Sequence, residues 1–261
     1  MTRFRDLVDV VARLRGPGGC PWDREQTHES LRPCLLEECY ETLDAIDRDD
    51  PQAIREELGD LLLQIVFQAQ VAAEVGAFTV EDVIAGVIDK MVRRHPHVFG
   101  DATVSGSAEV VRNWSRIKAE ERAGRGTADP SVLSGLPPAL PALHAAARMG
   151  EKAARVGFDW ASSADALGKV REELAELEEA LASADPSRVE HELGDVLFAL
   201  ASVGRLAEQS PEMALRRALT RFDRRFRAME DKVRRTGRDL HDLTPAELDA
   251  LWNEAKRNEP R

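Results

Sequence analysis

Two acidic constellations have the residue types and spacing to do chemistry. Glu37, Glu38 and Glu41 are followed by Glu57 and Asp60, and Glu172, Glu173 and Glu176 by Glu192 and Asp195, each residue of the second set lying 135 positions after its counterpart (173 against 38). On helices, Glu38 and Glu41 fall one turn apart, as do Glu57 and Asp60, so two adjacent helices bring four carboxylates together. Two carboxylates ~4 Å apart repel by about 4 kcal/mol at an effective dielectric near 20, and a gathering of them needs a cation. With oxygen donors alone and no Cys or His in the pattern, that cation is hard: Mg²⁺, with Mn²⁺ able to replace it.

An isolated Glu-Glu-x-x-Glu on a helix is ordinarily a solvated face, and Glu173 and Glu176 fall outside the stripe Leu167, Val170, Leu174, Leu177 and Leu181. The second helix of each pair argues otherwise. Glu57 and Asp60 head the run Leu61 to Phe67, apolar on nearly every side, which predicts an enclosed helix. Glu192 lies close to the edge of the Val189, Leu193, Val196, Leu200 stripe. A di-iron centre would require Glu-x-x-His on two helices, whereas Glu25 to His28 stands outside the acidic pattern and is not repeated.

Mg²⁺ keeps several coordination positions for water and phosphate oxygens, so a phosphate compound is the natural guest. Its partners should be basic. Lys90, Arg93 and Arg94 follow the first acidic pair, and Arg221, Arg224 and Arg225 follow the second; Trp114 and Lys118 recur as Trp252 and Lys256, 138 positions on (252 against 114). Each cation alone reads as an exposed helix residue, and recurrence makes the set a candidate phosphate site. The second copy adds Lys169 one turn before Glu173, where the first has Cys34, and offers Lys152 and Arg155 near Phe158-Asp159-Trp160. Trp22, Trp114, Trp160 and Trp252 offer stacking faces for a nucleobase, although tryptophan in a chain poor in aromatics usually belongs to a core. His95-Pro96-His97 reads as a helix break rather than a ligand pair.

The positioning elements read as helices throughout, with no sustained period-two alternation. Phe4, Leu7, Val8, Val11 and Leu14 define a first helix ended by Gly16-Pro17-Gly18-Gly19, which lacks the Gly-Lys-Ser/Thr ending of a phosphate loop. Cys20 to Asp23 reads as a turn leading to a helix from about 27 to 46. Asp50-Pro51 and Asp185-Pro186 read as N-caps with proline at the first helical position. Thr79 with Asp82, and Ser210-Pro211-Glu212, open the next pair of helices. Each copy closes on a tryptophan-containing helix. The expected division is 1–123 and 142–261, with the proline- and glycine-rich stretch 124–141 as linker. Each copy is long enough to bury a modest core.

The net charge of −11 argues against binding a nucleic-acid polymer. No apolar run approaches membrane length, and charges interrupt the first fourteen residues, unlike a signal peptide, so a cytoplasmic location is expected. Three cysteines without a Cys-x-x-Cys pair suggest neither a disulfide framework nor a zinc site.

Taken together, Cys20-Pro21-Trp22-Asp23, Glu37-Glu38-x-x-Glu41, Glu57-Leu-Gly-Asp60, Arg93-Arg94-His95-Pro96-His97-Val98-Phe99, Asn113-Trp114 through Lys118-Ala-Glu-Glu-Arg122, Val156-Gly-Phe-Asp-Trp160 and the second acidic set resemble the two-domain bacterial MazG nucleoside triphosphate pyrophosphohydrolases. The resemblance covers nearly the whole chain. It implies two tandem all-α domains whose helix pairs form four-helix-bundle cores on homodimerisation. It also implies Mg²⁺-dependent hydrolysis of nucleoside triphosphates to monophosphate and pyrophosphate, with broad substrate range and clearance of non-canonical nucleotides. The metal ligands it implies are Glu38, Glu41, Glu57 and Asp60, and Glu173, Glu176, Glu192 and Asp195; Glu37 and Glu172 are spare carboxylates able to orient water. Lys169 favours the second copy as the more active. A different class, a non-catalytic sensor that binds Mg²⁺ and nucleotide to regulate a partner, predicts binding without pyrophosphate release. A helical scaffold predicts that neither ligand changes thermal stability.

Overall fold

The computed structural model describes residues 3–123 and 131–258, which are helical with no strand among them, and divides into two compact units, Met1–Ala128 and Asp129–Arg261. In the first unit α1 (Phe4–Arg15), α2 (Pro21–Glu25), α3 (Arg32–Asp47) and α4 (Pro51–Glu74) precede α5 (Val80–Arg94), α6 (Pro96–Phe99) and α7 (Ser107–Ala123). The acidic residues sit on the antiparallel hairpin of α3 and α4. Its connection is too short to permit any other arrangement: Asp49 takes a left-handed conformation (φ 53°), and the Asp50 side chain accepts from the Gln52 and Ala53 amides at 3.0 and 3.2 Å.

Below the acidic end, α1 lies against α4 and buries Val11 with Leu31, Val66 and Phe67. Arg15 locks this contact. Its guanidinium, with a side chain only 5 % exposed, donates to both Glu74 oxygens at 2.8 and 2.7 Å and to the carbonyls of Asp23 and Gln26, and lies 5.3 Å from the Phe67 ring centre.

The second unit repeats the hairpin with α9 (Ser163–Ser183) and α10 (Pro186–Leu206), preceded by α8 (Ala142–Ala154) and followed by α11 (Pro211–Arg235), a single 3₁₀ turn and α12 (Pro245–Arg257). Ala184 (φ 54°) makes the left-handed turn here, and Asp185 caps α10 as Asp50 caps α4. Residues 124–130 of the expected linker lie outside the described residues. From 131 onward the chain belongs to the second unit, because buried Lys152 of α8 donates to the carbonyls of Ser134 and Val132 at 2.8 and 3.4 Å. Lys152 is thereby an anchor, not a group offered to substrate.

Three expectations are corrected. The second helix starts at Arg32, not Thr27: Thr27 and Ser30 exchange side-chain-to-backbone hydrogen bonds at 2.9 and 3.1 Å in a turn that competes with the helix, and Pro33 then fixes its start. Cys20 to Asp23 is not a plain turn, since Pro21 opens the short α2. Nor is α4 enclosed within its unit. Leu58, Leu62 and Ile65 are exposed by 50, 38 and 44 %, and only Gln64, Val66, Phe67 and two alanines of this helix are buried.

Replacing Arg15 by Met should lower the unfolding free energy by about 3 kcal/mol, the scale of losing charge-assisted bonds from a buried cation, as measured by urea denaturation.

Candidate metal centres

The α3–α4 hairpin brings carboxylate oxygens of Glu38, Glu41 and Glu57 within 4.8 Å of one another, and α9–α10 does the same for Glu173, Glu192 and Asp195. Asp60 and Glu176 lie outside these triplets and are exposed, so each expected foursome is a triplet plus a fourth carboxylate at its margin. The two marginal residues differ in register: Asp60 belongs to the second helix of its pair and Glu176 to the first. Glu37 and Glu172 both face solvent.

Burial differs between the copies. Glu173 is 6 % exposed, contrary to its expected place outside the apolar stripe, because α9 packs on α10 through Ala166, Val170, Glu173 and Ala180. The leucine stripe is rotated outward instead, with Leu167, Leu174 and Leu181 exposed by 39, 43 and 60 %. Small residues allow the close helix approach and carry the carboxylate inward with them.

Crowding shows in the acidities. Partial burial first, then the charges of Asp60 and Glu41, push Glu38 above the ordinary carboxylate value; burial, Glu41 and Asp60 do the same to Glu57. Glu176 is raised by loss of water contact, then by Glu173 and Glu192. In the second copy the ammonium of Lys169 stands 2.6 Å from Glu172 and 2.7 Å from Glu173, and these bonds raise its pKa above the usual lysine value. His191 approaches Asp195 at 3.3 Å.

Three hard oxygen donors per cluster fit Mg²⁺ or Mn²⁺. Octahedral coordination at about 2.1 Å sets neighbouring oxygens about 3 Å apart and opposite ones about 4 Å apart, within modest side-chain movement of the spacing found. No sulfur or imidazole belongs to either triplet.

The basic candidates are placed on the following helices. Lys90 is half-buried on α5; Arg93 and Arg94 end that helix and both reach Glu121 of α7, at 2.7 and 2.5 Å. Arg94 and Lys118 lie 5.3 and 5.1 Å from the Trp114 ring centre. On α11 Arg221 and Arg224 are exposed, whereas Arg225 lies 5.8 Å from the Trp252 ring centre and Phe222 packs on the same ring at 5.1 Å. Lys256 is exposed on α12. Arg224, Arg225 and Lys232 line a cavity of about 180 Å³ between α11 and α12. Both tryptophans are half-buried against cations.

One positioning pair escaped sequence reading. Arg205, in the apolar second half of α10, forms a bidentate ion pair with Asp159, fixing the Phe158-Asp159-Trp160 loop so that Phe158 is 81 % exposed. An arginine inside an apolar stretch was its one available signal.

Glu121 generates a pH prediction. Hydrogen bonds from Arg94 and then Arg93 lower its pKa to about 2. A depressed carboxylate contributes stability above its unfolded-state value and loses it as pH falls through the folded one. The urea midpoint of Glu121→Gln should therefore lie below that of the parent at pH 7, and the gap should close between about pH 4.5 and 2.

A family profile described as the MazG nucleotide pyrophosphohydrolase domain matches residues 26–99 and 162–233, the first acidic hairpin with α5 and α6 and the second with nearly all of α11. The chain is 46 % identical over 253 residues to the nucleoside triphosphate pyrophosphohydrolase/pyrophosphatase MazG of Thermotoga maritima, covering 97 % of this chain and 95 % of that protein. It is 42 % identical over 262 residues to the nucleoside triphosphate pyrophosphohydrolase of Escherichia coli K12, covering 99 % of both. Two matched repeats and this near-complete coverage establish that the chain belongs to the MazG nucleotide pyrophosphohydrolase family.

Proposed function

We propose that this protein hydrolyses nucleoside triphosphates to monophosphate and pyrophosphate with Mg²⁺, or Mn²⁺ in its place, over a broad substrate range that includes non-canonical nucleotides. Support comes from the two relatives named for this reaction and, above all, from the carboxylate triplets on the matched hairpins. Glu38, Glu41 and Glu57, and Glu173, Glu192 and Asp195, would hold the metal, with Asp60 and Glu176 at its margin. A bound divalent ion supplies charge neutralisation of the triphosphate and polarisation of the reacting phosphorus.

The remaining roles fall to the protein's own groups. Glu172, exposed beside its triplet, orients or deprotonates the attacking water, and Glu37 is its equivalent in the first copy. Arginines 221, 224 and 225 with Lys256, and their counterparts Lys90, Arg93, Arg94 and Lys118, offset charge on the departing pyrophosphate. Trp252 and Trp114 offer a ring face to the base, loosely enough to admit several.

The second copy is proposed as the more active, favoured by its buried Glu173 and by Lys169. Glu192→Ala should reduce pyrophosphate release from a panel of canonical and damaged triphosphates by about 100-fold or more, and Glu57→Ala should retain most of it. Loss of activity from Glu57→Ala alone would reverse the assignment.

Homodimerisation is the natural cover for the apolar faces of the hairpins. Leu193, Leu197, Phe198 and Leu200 of α10 are 44–47 % exposed, and Leu58, Leu62 and Ile65 of α4 are exposed as well. No described helix is long and apolar enough to cross a membrane, and a cytoplasmic location is proposed with the nucleotide substrates. Light scattering should return twice the chain mass, and Leu197→Glu should shift it toward that of one chain.

A further inference from the structure

Given the reading of Glu173, Glu192 and Asp195 as metal ligands, on which this depends, we propose that Lys169 is a built-in cation that competes with the metal for the second cluster and is released toward the nucleotide's phosphates when metal enters. The Lys169 ammonium is 2.7 Å from Glu173, a carboxylate whose oxygen is also within 4.8 Å of Glu192 and Asp195. It holds Glu172 at 2.6 Å as well. Glu173 therefore has two claimants, and a metal drawing on its negative charge weakens its hold on the ammonium.

Both partners suit an exchange. The Glu173 side chain is 8 % exposed, so its charge has little water to fall back on and is held by whichever cation is present. Lys169 is 32 % exposed, with a flexible stem that can carry its charge outward. An arginine would grip a carboxylate through two parallel bonds and leave less readily. Lysine four residues before glutamate is also the weaker order of such a pair on a helix. Once released, the ammonium stays within about one helical turn, ~5.4 Å, of the cluster, where a triphosphate oxygen is the available anion.

The first cluster lacks this device. Cys34 occupies the position equivalent to Lys169, four residues before Glu38, and contributes no positive charge. The two clusters should consequently differ in metal affinity for a reason independent of their carboxylates.

The test uses the full chain carrying Glu57→Ala, which disables the first cluster, with Lys169 intact or replaced by Met. Free Mn²⁺ is followed by electron paramagnetic resonance without nucleotide, and binding of a non-hydrolysable triphosphate is then measured at saturating Mn²⁺. Lys169→Met should bind Mn²⁺ roughly tenfold tighter and the triphosphate several-fold weaker. Lys169→Gln, a second neutral variant, should behave alike, with circular dichroism reporting that each remains helical. Unchanged or weaker Mn²⁺ binding would overturn the competition, and unchanged triphosphate binding would overturn the release. Absence of Mn²⁺ binding in every form would refute the metal reading itself, an outcome distinct from either.

Discussion

Repulsion among carboxylates held within a few ångströms is the constraint on which each unit turns. Such a group does not assemble by itself, since loss of water and then the charge of each neighbour raise the cost of ionising its members, as Glu38 and Glu57 show. The fold holds it together with a hairpin whose short turn admits one antiparallel register. Caps at Asp50 and Asp185 fix where the second helix begins, and so how far Glu57 and Glu192 stand from their partners. Packing of α1 against α4, closed by Arg15, backs the first hairpin; α8 and the Arg205–Asp159 pair serve the second.

The two copies answer the same electrostatic problem differently. In the second, Glu173 goes inside and Lys169 balances it. In the first, the carboxylates stay half-exposed and ease their repulsion by becoming weaker acids. At the basic end of the first unit Glu121 holds Arg93 and Arg94 together. Equal carboxylate motifs are thus compatible with unequal sites.

Much of this was legible in the residues. Helix content, the repeat, the capping signals at Asp50, Thr79 and Asp185 and the convergence of acidic residues all follow from local spacing, because helix geometry is set within a few residues. What eluded reading depended on contacts between helices. The leucines at 167, 174 and 181 look like a core stripe, yet the helix turns Ala166, Val170 and Ala180 inward, since close approach to α10 is set by the smaller side chains, and Glu173 is carried in with them. The apolar run of α4 likewise suggested enclosure, yet Leu58, Leu62 and Ile65 stay exposed within the unit, because hydropathy along one helix does not say how many neighbours pack on it. Arg205 and Asp159 are 46 residues apart and gave no periodic signal.

Lys152 has a consequence for how the halves can be separated. Its buried ammonium is held by carbonyls at 132 and 134, well upstream of the helix that carries it. The short coil ahead of α8 is therefore tied to the second unit through its carbonyls and is not a free tether. A cut at the start of α8 would strip a buried positive charge of these oxygens. Severing before residue 131 keeps them, so the second repeat has to be taken from ahead of its first helix to keep one lysine solvated.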